Sequence, residues 1–144
     1  MRNSLAQQFA DVRLQPPPIA QLIGFEPVAL EAGCAVFQLE VDPQRHANPM
    51  GTLHGGVLCD LADAAMGYAY ASSLAEDETF TTVELKINFL RPVWRGLVSA
   101  AARLVSRGRS IGLVECDVTD STGKLVARAS STCMTLRGDR AAGR

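Results

Sequence analysis

The sequence has no C-x-x-C pair and only two histidines among 144 residues, which leaves little from which to build a Cys/His metal cage. No metal site is expected. Its four cysteines, Cys34, Cys59, Cys116 and Cys133, stand singly and read as small buried residues. An excess of one charge is missing as well. Fourteen Lys and Arg face 15 Asp and Glu, so no field exists to gather nucleic acid or an anionic membrane, and any anionic ligand must be met by local basic residues. No apolar run reaches the length of a membrane span, and residues 1–4 do not open a signal-peptide core, so the expected location is cytoplasmic. The Gly-x-Ser-x-Gly of a serine hydrolase is absent. There are no internal repeats or low-complexity tracts, and the length suits one domain with a single core.

What the chain does have is clear periodicity. Leu5, Phe9 and Val12 fall at helical spacing until Pro16, Pro17 and Pro18 end the pattern, so residues 1–18 read as a helix and a proline spacer. Residues 18–22 open a second short helix. Strands follow at 28–30 and 35–41, divided by Glu31-Ala32-Gly33. Residues 42–53 form a polar loop with Pro43, Asn48, Pro49 and Gly51. Leu58, Leu61, Ala65 and Ala69 then predict a long helix over 55–73. Beyond it, Thr81, Val83, Leu85, Ile87 and Phe89 alternate with Thr82, Glu84, Lys86 and Asn88, which predicts a strand with one buried face. Strands at 98–105, 111–119 and 125–136 complete a meander joined by turns at 107–109 and 120–123. One long helix followed by a run of strands is an α+β pattern in which a curved antiparallel sheet wraps the helix. Residues 138–144 are short and polar and read as a disordered tail.

The chemistry concentrates at the entrance of the long helix. Asn48, His54, Gly55 and Gly56 gather there, and Asp63 lies two turns inside. Unpaired amides at a helix N-terminus carry the positive end of the dipole and can hold an oxyanion, while glycines let a ligand approach the backbone. The run N-x-x-G-x-x-H-G-G, then L-x-D-x-A, then the strand segment 82–92 resembles the hotdog-fold acyl-CoA thioesterases of the phenylacetate-degradation and 4-hydroxybenzoyl-CoA thioesterase type. The likeness extends from the first strand to Leu136. It implies hydrolysis of an acyl- or aroyl-CoA thioester with no metal and no organic cofactor, in a homodimer or homotetramer.

By position, the resemblance makes Asp63 the carboxylate nucleophile or general base and the Gly55 amide the carbonyl-polarising donor. It gives Asn48 and His54 supporting roles, and Thr82 the water-orienting hydroxyl. Other members carry a hydroxyl one turn beyond the carboxylate, where this chain has Gly67. Gly56 and the arginines Arg91, Arg107 and Arg109 are expected to meet CoA, since the planar fork of Arg suits phosphate oxygens. Asp60 is read as a solvated helix carboxylate. Small residues near Asp63 (Ala64, Ala65, Gly67) admit an aryl ring or a medium chain. The rival readings are a non-catalytic acyl-CoA-binding module and a hydratase, whose Asp/His pattern is not found.

Helix geometry adds a constraint of its own. Gly55 and Asp63 are eight positions apart, roughly 12 Å along a helix axis, whereas a donor and an attacking group sharing one carbonyl lie at most about 6–7 Å apart. The expected site is therefore shared between two chains related by a two-fold axis.

Overall fold

The computed structural model describes residues 4–142. A single long helix organises it. This helix, Gly55–Ala71, buries Leu58, Leu61, Ala62, Ala65, Met66, Ala69 and Tyr70, a stripe at spacings of one, three and four. We label the elements α1 (Leu5–Leu14), α2 (Pro18–Ile23), β1 (Glu26–Glu31), β2 (Cys34–Val41), α3 (Pro43–His46), α4 (Gly55–Ala71), β3 (Glu78–Phe89), β4 (Gly96–Arg107), β5 (Ile111–Thr119) and β6 (Leu125–Arg137). The architecture is α+β, the hotdog arrangement expected. One six-stranded antiparallel sheet in the order β1-β2-β4-β5-β6-β3 curves so that α4 touches every strand. No helix among the described residues is long and apolar enough to cross a membrane.

Three local expectations are corrected. The strands do not form a simple meander, because β3 leaves β4 and pairs with β6 at the sheet edge. Curvature makes this possible. The six residues 90–95 cross the end of the roll, tied by Leu90 and Arg91 N–H groups donating to the Val126 carbonyl and by Leu53 N–H donating to that of Val93. The 42–53 loop also contains a helical turn, α3, started by Asp42, whose carboxylate accepts from Gln44 N–H at 2.9 Å, and by Pro43 at the first helical position. Finally, Gly138–Ala141 fold as a 3-10 turn where no order was expected.

The alternation of β3 is the fourth difference and the most consequential. Pairing with β6 steps from Thr82↔Cys133 directly to Glu84↔Thr132, so Val83 is the extra residue of a β-bulge. Across the bulge the side-chain faces exchange. Phe80 and Thr82 face α4 on one side of it, Leu85 and Ile87 on the other, and Val83 is thrown outward with 58% of its surface exposed.

Candidate active site

His54 is the N-cap of α4, with extended backbone angles, and its ring Nδ1 accepts from Gly56 N–H at 2.8 Å. A backbone amide can only donate, so Nδ1 is the acceptor and the neutral ring carries its proton on Nε2, free to donate outward. Gly56 is glycine because a Cβ there would sit 2.9 Å from that Nδ1. Its amide thus serves the cap and is not open to CoA as the sequence suggested. The Val57 and Leu58 amides reach the His54 carbonyl at 3.0 and 3.4 Å. The Gly55 amide meets no acceptor among the described residues, so the positive end of the helix dipole is presented there. A Cβ on Gly55 would approach Phe89 Cζ to 2.8 Å, so the missing side chain makes room for that ring rather than for a ligand.

Asn48 holds the preceding loop in shape. Its Oδ1 accepts from Met50 and Thr52 N–H at 2.9 and 3.1 Å, and its Nδ2 donates to Thr52 Oγ1 at 2.8 Å, leaving one amide hydrogen unused. Asn48, Gly55, Phe89 and Arg91 line one recess of about 390 Å³.

Asp63 lies on the uncovered face of α4, and Thr82 Oγ1 donates to its Oδ1 at 3.4 Å, a long bond. Burial pushes the Asp63 carboxyl above the ordinary carboxylate pKa; the Thr82 hydrogen bond pulls it down, and the charge of Asp60 adds a further upward push. Two recesses open beside it. One, of about 200 Å³, is shared with Asp60 and Tyr68, and the other, of about 250 Å³, with Gly67, Phe80 and Thr82. Neither shares a lining residue with the Gly55 recess. Within one chain, Asp63 meets Thr82, and Gly55 meets Asn48 and Arg91, but the two groups stay apart. Burial and then the charges of Asp60 and Asp63 push the Cys59 thiol up, away from thiolate.

The arginines divide. Arg107 is committed to the fold: it pairs with Glu78 at 2.9 Å, donates to Ser73 Oγ at 3.3 Å and lies 5.2 Å over the Tyr70 ring. It is therefore withdrawn as a phosphate contact. Arg109 is exposed on the β4–β5 turn, where its carbonyl accepts from Arg137. Arg91 stands at the Gly55 recess, where a cation can meet an anionic ligand.

The thioesterase-superfamily model matches residues 50–127, which spans the α4 entrance, Asp63, Thr82 and most of the sheet. The chain belongs to the thioesterase superfamily. A relative in Listeria monocytogenes named 1,4-dihydroxy-2-naphthoyl-CoA hydrolase is 39% identical over 114 residues, covering 79% of this chain and 92% of that one. The acyl-coenzyme A thioesterase PaaI of Escherichia coli is 30% identical over 124 residues, 85% of each chain. The solved structure of PaaI, from the phenylacetic acid degradation operon, superposes with a TM-score of 0.82 at 27% identity over 94% of this chain and 98% of that one. The protein is thus an enzyme of the thioester-hydrolase class.

Thioester hydrolysis calls for an attacking group and an oxyanion donor, and a carboxylate beside a hydroxyl and an unpaired helix-terminal amide are groups able to supply them. Asp60 is exposed, as the sequence suggested, and it also lines an Asp63 recess, which the sequence reading did not foresee. The spacing held the clue, since residues three apart on a helix share a face. The sequence reading also overlooked Phe89, whose contact with Gly55 depends on the pairing of β3 and left no local mark.

Proposed function

We propose that the protein hydrolyses an aryl- or medium-chain acyl-CoA to the free acid and CoA in a homodimer, with Asp63 of one chain working beside the partner's Gly55. The observation that carries this reading is the separation of Asp63 and Thr82 from the Gly55 amide within one chain. Two further features favour a second copy. β3 is an edge strand of the sheet among the described residues, and an edge twelve residues long invites another strand. The uncovered face of α4 carries Gly56, Asp60, Asp63, Gly67 and Ala71, small or polar residues that let an antiparallel helix lie close. Edge-to-edge pairing about a two-fold axis gives two equivalent sites.

In each site the ionised Asp63, steadied by Thr82, takes a proton from a water that adds to the thioester carbon. The oxyanion forms against the partner's Gly55 amide. Collapse breaks the C–S bond, and the CoA thiolate recovers the proton from Asp63. The Asn48 loop and the His54 cap fix the donor amide, and Arg91 is the contact for the phosphates of CoA. The test is release of free CoA from phenylacetyl-, hydroxybenzoyl-, short-chain and long-chain acyl-CoA. Turnover of none of them means a binding module. Asp63→Asn is expected to lose at least ~10²-fold in kcat, because the amide keeps the size and loses the basicity, with Tm unchanged. Near-native kcat in that variant overturns the assignment.

A further inference from the structure

The N-terminal segment, outwardly a helix and a spacer, forms a roof over a recess beside Asp63. Pro16, Pro17, Ile19 and Ala20 cover the smaller Asp63 recess. Its back wall is aromatic, with Phe25 and Phe37 in edge contact at 6.0 Å and Phe37 and Tyr68 tilted at 5.2 Å. Asp63 and Asp60 are the two carboxylates on its lining among the described residues. No cation lines it.

Size and charge follow from these walls. A dry apolar cavity of roughly 150 Å³ takes one benzene, so a recess of about 200 Å³ takes a single ring with a short arm or a comparably compact chain. A dodecanoyl chain or a large fused ring system exceeds it. An acyl group carrying its own carboxylate would be brought against two like charges with no cation to offset them.

We propose that the α1–α2 roof is the size-selecting wall of the acyl site, with Ile19 a specificity-determining residue, and that Asp60 on its lining disfavours acyl groups bearing a carboxylate. This rests on the thioesterase reading above. Ile19 is 47% exposed on the roof, so its substitution changes the recess with little disturbance of the core.

The experiment measures kcat/KM of the full-length enzyme for acetyl-, hexanoyl-, phenylacetyl-, dodecanoyl- and glutaryl-CoA. Wild type is compared with Ile19→Trp, Ile19→Ala and Asp60→Asn. Ile19→Trp is expected to lower the phenylacetyl-to-acetyl ratio about tenfold, and Ile19→Ala to raise the dodecanoyl-to-hexanoyl ratio about tenfold. Asp60→Asn is expected to raise the glutaryl-to-hexanoyl ratio about tenfold. Ratios cancel any effect common to all substrates, including one on Asp63 itself. If wild type turns over thioesters and these ratios stay within twofold, the roof assignment is overturned while the thioesterase reading stands. If wild type hydrolyses none of the five, both fall.

Discussion

Gly55→Pro isolates the one hydrogen on which the proposed shared site depends. Gly55 is the first residue of α4, the position where proline is tolerated because its amide has no partner within the helix. His54, with φ −64° and ψ 135°, already has the extended conformation that proline requires of the residue before it. The new ring must displace Phe89, which is 54% exposed and free to swing aside. Gly55→Ala makes the same Cβ contact and keeps the N–H, so it is the control. Removing an oxyanion donor costs about 10²–10³ in kcat, or about 2.7–4 kcal/mol. That loss is expected for Gly55→Pro, and less than about tenfold for Gly55→Ala. Refolding Gly55→Pro chains with Asp63→Ala chains then tests where the donor acts. Random equal pairing makes half the dimers mixed, and each mixed dimer has one intact site and one doubly damaged site. Activity should therefore rise to roughly a quarter of wild type. Native mass spectrometry of differently tagged chains confirms the mixing. If mixed dimers form and activity stays at the level of the single variants, the site is not shared and the reasoning fails. Wild-type kcat in Gly55→Pro alone refutes the role of the amide.

Asp63 acts ionised, so its raised pKa places the acid limb of kcat/KM above the pH at which an ordinary carboxylate titrates. Because the Asp60 charge contributes to that rise, Asp60→Asn should move the limb to lower pH; an unmoved or raised limb contradicts the coupling. Gly112→Ala would place its Cβ 2.4 Å from Tyr70 Cε2, on a fully buried ring whose hydroxyl is held 2.7 Å from Thr135 Oγ1. It should cost about 3 kcal/mol and lower Tm by roughly 10 °C in a thermal melt, and an unchanged Tm would count against this packing. Prolonged chelation should leave CoA release unchanged. Loss of activity restored by a divalent ion would defeat the cofactor-free mechanism.

The pieces of the fold that were legible are those written in local periodicity. The stripe of α4 and the ranges read for β2 and β5 placed those elements to within a few residues, and the helix read at 18–22 is α2, begun by Pro18 and ended by the left-handed C-cap Gly24. The placement of β3 beside β6 was not legible, because strand order depends on how far the sheet curves around α4 and no single segment records it. The site divides along the same line. Asp63 and His54 were picked out by the motif they share with the thioesterase family, which local sequence carries. The loss of Arg107 to Glu78, Ser73 and Tyr70 depends on residues 29 to 37 positions away in the chain, and pattern alone could not show it.

The bulge at Val83 has a consequence for insertions and deletions. Without Val83, residues 80, 82, 85, 87 and 89 would alternate regularly and the ladder with β6 would run unbroken, so this is a position in the strand where losing one residue leaves every inward side chain in place. Losing Lys86 instead would turn the residues on one side of the gap to the opposite face. Retaining Val83 divides the open edge into the runs 78–82 and 84–89, each shorter than the whole and set at an angle to the other. A second strand sliding along such an edge would find no long straight stretch on which neighbouring alignments are equivalent, so in the proposed dimer one extra residue would act as a stop that sets where two copies align.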